Sequence, residues 1–200
     1  MTTDNPLLVS FDTPNFSKIE TKHFKPAIQI AIANAKTEID NITKNENPNF
    51  ENTIAALDDA GYQLERVSQI LFNLNSAETN EEIQQIAQEV SPWLSDFQND
   101  IMTNSKLFKA VKSVYNHKEK LQLNAEQLTL LDRHYKSFVR NGAELDKEQQ
   151  SKLRNIDNKL STLSLKFGQH VLADTNAYQL HIEDESLLAG LSEDQLETAA

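Results

Sequence analysis

The chain has 200 residues, 38% of them hydrophobic and 24% charged, which is too apolar for intrinsic disorder and enough for one sizeable core or a piece of a larger domain. Thirty acidic residues against 19 lysines and arginines give a formal net charge of −11, which argues against the clustered basic surface that nucleic acid or an anionic membrane requires. Cysteine is absent, so disulfides and thiolate metal sites are excluded and a reducing cytoplasm is the expected compartment.

Residues 1–22 contain Pro6 and Pro14 and read as an extended arm rather than a helix. The opening MTTDNPLLVS has neither the basic nor the apolar segment of a signal peptide, and no stretch reaches the roughly 20 apolar residues of a membrane span. A first helix is expected from about His23 to Asn45, with Pro26 in its first turn and Phe24, Ile28, Ile32, Ala35, Ile39 and Ile42 on one stripe. A second runs from about Glu51 to Leu74 on Ile54, Leu57, Leu64, Val67 and Leu71. Ile70, Phe72 and Leu74 widen its apolar face and ask for cover on another side. Gly61 falls on the buried stripe and is read as a close approach of another helix, at about 1 kcal/mol of helix propensity.

Thr79 followed by Glu82 reads as a capping box that opens a helix over 79–104, with the near-heptad seam Ile83, Ile86, Ala87, Val90, Leu94, Phe97 and Ile101. Pro92 lies inside it and predicts a bend near Gln88–Ser91 in one continuous helix. Ser105 is the expected cap of a short helix to about Asn116. Asn124, with Gln127 three residues on, opens the next, and Gly142 suits its C′ position. Asp146 with Gln149 opens the longest helix, to about Ala173, whose stripe of Leu153, Ile156, Leu160, Leu163, Phe167 and Val171 spans roughly 40 Å. No repeat of 20–50 residues is present, which argues against a solenoid.

Beyond it, Tyr178, Leu180 and Ile182 alternate with Gln179, His181 and Glu183, a pattern that predicts a short strand with no partner elsewhere in the chain. Ser192 with Gln195 then opens a helix of about two turns, in the run that ends at Ala200. A lone strand and so short a last helix lead to the expectation that the natural polypeptide continues. The predicted fold is all-α, an antiparallel array of long helices with one short C-terminal strand segment. Its expected parts are an arm over 1–22, a helical domain over 23–175 and the start of a following region over 176–200.

Chemistry is harder to find. The five histidines, His23, His117, His134, His170 and His181, include no pair spaced two to four residues apart, whereas a helical zinc site needs such a pair and a third ligand. His117 is followed by Lys-Glu-Lys-Leu and lacks the second histidine of a protease motif. His134, at the edge of its helix's apolar face, is the one expected to be partly buried. The acidic runs Asp58–Asp59, Glu81–Glu82 and Glu183–Asp184–Glu185 are neighbours in sequence, read as solvated faces or helix first turns rather than carboxylates opposed across a cleft. Nucleophile-elbow, phosphate-loop and calcium-loop motifs are all missing. No catalytic, cofactor-binding or metal-ligating residue is assigned.

Other strings carry a resemblance. His23-Phe24-x-Pro26-Ala27-Ile28, Phe50-Glu51-Asn52-Thr53-Ile54 with Ala56-Leu57-Asp58, Asn73-Leu74-x-Ser76-Ala77, Ser91-Pro92-x-Leu94 and Phe138-Val139-Arg140-x-Gly142-Ala143-x-Leu145 occur in an order that resembles the N-terminal helical region of the thimet oligopeptidase family of zinc metallopeptidases, its peptidyl-dipeptidase branch most of all. The resemblance runs from Asn5-Pro6-Leu7-Leu8 to Leu188-x-Gly190-Leu191-Ser192. It implies a mostly helical peptidase with two halves facing across a channel for short peptides, of which this chain resembles the outer, N-terminal half. The zinc, the His-Glu-x-x-His motif and the substrate-gripping residues of such a parent lie in a part this chain does not contain, so none is carried onto a position here. The implied partners are the catalytic remainder of the same polypeptide and short peptides. Two alternatives stay open: the endopeptidase branch of the same family, and a stand-alone helical interaction module.

Overall fold

Asparagine starts several of these helices. A computed structural model describes residues 5–199, and its α-helices are α1 (Phe24–Thr43), α2 (Ala56–Asp59), α3 (Tyr62–Ala77), α4 (Glu81–Met102), α5 (Ser105–Asn116), α6 (Ala125–Arg140), α7 (Lys147–Ala177) and α8 (Glu193–Ala199). The Asn49 side chain caps a wide π-helical turn, Phe50–Ala55, that leads into α2, and Asn80, Asn104 and Asn124 cap α4, α5 and α6 by accepting from first-turn backbone N–H groups. The capping box expected at Asn124 forms with Gln127. The start expected at Thr79 falls one residue later: the Asn80 amide oxygen accepts from the Ile83 N–H at 2.9 Å. Asn104 likewise replaces Ser105, accepting from Lys106 and Leu107 at 3.0 Å each. Carboxylates do this work only later, where Asp146 accepts from the Gln149 N–H at 2.8 Å and Asp184 from Ser186 at 3.0 Å.

The second expected helix is broken. Gly61 sits at φ +81°, a left-handed conformation that ends α2 and turns the chain into α3. The apolar stripe continues on both sides of the break, which is why it read as one helix. A methyl group at Gly61 would stand 3.6 Å from the Ala35 Cβ, an ordinary contact, so backbone conformation rather than close approach demands glycine here. Gly142 (φ +88°) closes α6: its N–H bonds the Val139 carbonyl while Ala143 N–H reaches back to Phe138, a Schellman ending. Pro92 lies within α4, which runs unbroken through it as one helix.

The chain divides into two compact units that meet at Leu165 and Lys166. In the first, α1, α3 and α4 pack around Phe24, Ile28, Ala31, Leu64, Val67, Leu71, Ile86 and Val90, all buried. The C-terminal part of α1 belongs to a second cluster, in which Ile39 and Ile42 meet Phe50, Ile54, Leu107, Phe108, Val111, Leu131 and Phe138. Ile70 is buried in the first cluster and Phe72 and Leu74 pack against it, so the extra apolar residues of α3 already have their cover. The N-terminal arm docks through Leu7, which is fully buried, and through bonds from Gln63 to the Leu8 carbonyl (3.1 Å) and from Arg66 to the Val9 carbonyl (2.8 Å). Residues 1–4 of that arm lie outside the described residues.

The second unit comprises the last turns of α7, a 3-10 turn at Glu185–Leu188 and α8. The strand predicted over Tyr178–Ile182 does not form: residues 178–184 are irregular and Tyr178, Leu180 and Ile182 are exposed. No strand occurs among the described residues, so a strand there would have left its backbone groups without a ladder.

Candidate functional site

The histidines are dispersed in structure as in sequence. His23 accepts at Nδ1 from the Glu20 N–H (3.0 Å) within a turn, and His117 Nδ1 meets the Ser113 carbonyl at 2.8 Å. His170 and His181 are exposed. His134 is half-buried as expected, with Nε2 3.2 Å from Asp58 Oδ1. Burial holds its pKa below the ordinary imidazole value, and the bond and charge of Asp58 only partly offset this. Among the described residues no group of three or more His, Cys, Asp or Glu side chains converges as metal ligands would. Among the described residues, then, the donors do not form a site that fits the zinc the resemblance implies for a parent enzyme.

The polar constellation that does form joins α7 to α4. Arg154 reaches across with Nη2 at 2.7 Å from Asp100 Oδ1 and Nη1 at 3.3 Å from Asp96 Oδ1. Asn158, one turn on, donates to Asp96 at 3.0 Å, and Lys36 of α1 reaches Asp100 from the other side at 3.0 Å. Desolvation, the largest influence on Asp100, pushes its carboxyl up, and the bonds from Arg154 and Lys36 outweigh it and hold the carboxyl below its usual value. The Asp100 bond also raises the Arg154 guanidinium above its ordinary value. Beside this clamp, Pro92, Asn155, Asn158, Lys159, Thr162 and Leu163 line an open groove of ≈ 600 Å³. Nothing in the sequence motifs singled out Arg154 and Asn158. Their signal was positional, polar residues recurring on the side of α7 opposite its apolar stripe.

That stripe is the other feature of α7. It was expected to be core, yet α7 buries no residue, and Ile156, Leu160 and Leu163 are 60%, 60% and 62% exposed. The half-buried side is the polar one, with Arg154, Asn158, Ser161 and Thr162. The helix lies with its apolar face outward.

The described residues thus form an all-helical fold with a docked N-terminal arm and a long helix whose Ile156, Leu160 and Leu163 are exposed. Residues 28–150 match the family model of the neurolysin/thimet oligopeptidase N-terminal domain, and the chain belongs to that family. It is similar to dipeptidyl carboxypeptidase of Escherichia coli, 35% identical with 100% of this chain aligned to 30% of that protein. Dipeptidyl carboxypeptidase of Salmonella typhimurium is 34% identical over 98% of this chain and 30% of its own length. Oligopeptidase A of Salmonella typhimurium is 29% identical over 98% of this chain and 29% of its own length. The chain thus spans about 30% of the length of the curated relatives it matches. No helix among the described residues is long and apolar enough to cross a membrane.

Proposed function

We propose that this chain is the N-terminal, non-catalytic part of a zinc metallopeptidase that releases dipeptides from the C-termini of short peptides, and that it forms one wall of the substrate channel. The observation that carries this reading is the end-to-end likeness of this chain to about 30% of the length of dipeptidyl carboxypeptidases, at 34–35% identity against 28–29% for the bacterial oligopeptidases A. The endopeptidase branch is the second reading, favoured by those same oligopeptidase A matches. In either case we take the zinc to be held by the remainder of the parent, since no group of donors converges among the described residues, and expect the isolated 200 residues neither to bind zinc tightly nor to cleave peptides. The chain's partners are then the catalytic remainder of the polypeptide and, across the channel, short peptides. The absence of cysteine supports a cytoplasmic setting.

The reading frame beyond Ala200 is expected to encode His-Glu-x-x-His, and a frame lacking it would refute the peptidase reading. The full-length product should release a C-terminal dipeptide from an N-blocked peptide with a free carboxyl and leave the C-amidated peptide intact. Equal cleavage of both peptides would move the protein to the endopeptidase branch.

A further inference from the structure

Most surface helices turn an apolar stripe to the core and a polar face to water. The first unit's part of α7 does the reverse. Leu153, Ile156, Leu160 and Leu163 recur in alternating steps of three and four, and Phe167 continues the pattern along the same helix. That spacing is the 3.5-residue period of a seam that meets another helix, not a strand or a loop. With Leu153 and Leu160 at heptad position a and Ile156 and Leu163 at d, the clamp residues Arg154 and Asn158 fall at b and f, on the far side. The fold has fixed the polar face of α7 to α4 and half-buried Leu153 beside Gly142, and has left Ile156, Leu160 and Leu163 open.

The flank of the seam specifies its occupant. Lys152 and Lys159 both fall at position g, one in each heptad, on a chain whose net charge is −11. Lys152 pairs along its own helix with Glu148, and among the described residues Lys159 forms no ion pair. Residues at e and g choose the partner in such seams. A second copy fits badly: antiparallel pairing sets these lysines against one another, and parallel pairing meets them with Asp157 and Ser164, a single acid.

We propose that this face of α7 docks an amphipathic α-helix with acidic residues along its facing flank, supplied by the remainder of the parent polypeptide. The inference rests on the reading of the chain as the N-terminal part of a longer peptidase; the relatives, of which it covers about 30%, have ample further length from which such a helix could come.

The test uses the 200-residue chain and two labelled peptides of about four heptads, identical at their Leu and Ile seam positions but bearing Glu or Lys at e and g. Fluorescence anisotropy should show the Glu peptide binding and the Lys peptide weaker by about tenfold, the preference reversing in the K152E/K159E variant. Leu160→Gln, on an exposed residue, should weaken the Glu peptide about tenfold with the unfolding transition of the bundle unchanged. Equal binding of the two peptides, undiminished binding by Leu160→Gln, or a homodimer that Leu160→Gln dissolves would each overturn the proposal. Amide exchange in the full-length product tests the source. Segment 152–163 should be protected there and exposed in the 200-residue chain, and equal exchange in both would overturn the assignment. None of these readouts depends on hydrolysis, so an inactive full-length product would refute the peptidase reading alone.

Discussion

Replacing Arg154 with alanine removes the clamp between α7 and α4 and retains a strong helix former at that position. The structure sets the magnitude. The guanidinium serves two carboxylates, at 2.7 and 3.3 Å, with the three side chains 33%, 42% and 48% exposed. Partly exposed ion pairs of this kind contribute about 0.2–1 kcal/mol each, so the pair together is worth about 1 kcal/mol after screening. Little else holds this helix, which buries no side chain and whose further ties include the Gln150 bond to the Gly142 carbonyl at 3.1 Å. The whole loss should therefore appear as local opening. Amide exchange read by mass spectrometry should accelerate about fivefold across 150–163, while the α1, α3 and α4 core amides keep their rates. Added salt should shrink the difference between variant and parent. A uniform acceleration that includes the core, or unchanged exchange in α7, would refute the reasoning that the clamp anchors this helix.

Leu7→Ala should destabilise the chain by about 2–5 kcal/mol in denaturant unfolding, because the side chain is fully buried, whereas Val9→Ala, at a residue 51% exposed, should change stability by less than about 0.5 kcal/mol. Gly61→Ala should cost about 1–2 kcal/mol through its left-handed backbone, and Gly168→Ala, in the interior of α7 with no atom within 4 Å of the added methyl, should protect α7 by about 0.5–1 kcal/mol in amide exchange. His134 binds its proton less tightly folded than unfolded, so its contribution is present above the ordinary imidazole pKa of 6.5 and is lost as pH falls toward its lowered folded value. The thermal midpoint of His134→Gln should accordingly fall less between about pH 7.5 and about pH 5.5 than that of the parent chain.

Features that depend on near neighbours were legible in the sequence. The Asn124–Gln127 box, the Asp146 cap and the Gly142 ending are each made within a few residues, so the local string contains every participant. Thr79 and Asn80 are both competent caps, and the choice between them rests on which side chain meets the Ile83 N–H. The break at Gly61 was hidden because the apolar stripe resumes in phase on its far side. The short strand over Tyr178–Ile182 shows the limit of alternation as a signal, since a strand is a property of a pair. Periodicity found the α7 stripe but not its direction, because a pattern tells which residues are apolar and not what they touch. The clamp at Arg154 was illegible for the same reason: its acids lie more than fifty residues away in the chain. Family membership was legible through the order of many short strings, none of them catalytic.

The choice of asparagine at the helix starts has a consequence for how the molecule behaves in acid. At Asn49, Asn80, Asn104 and Asn124 the capping oxygen belongs to a carboxamide, which has no proton to gain, so the starts of the π turn and of α4, α5 and α6 are indifferent to acidity. The attachment of α7 relies on the Asp100 carboxylate, which Arg154 and Lys36 hold below its usual value against desolvation, and the turn at Glu185–Leu188 on Asp184, whose bonds from Ser186 hold its acidity high. Acid therefore meets a graded object. The helices α4, α5 and α6 keep their caps, while α7 loses the Asp100 anchor of its tether as that carboxyl protonates. Titration would free the long helix from a body still folded, in the way a hinge pin is drawn before the door is taken apart.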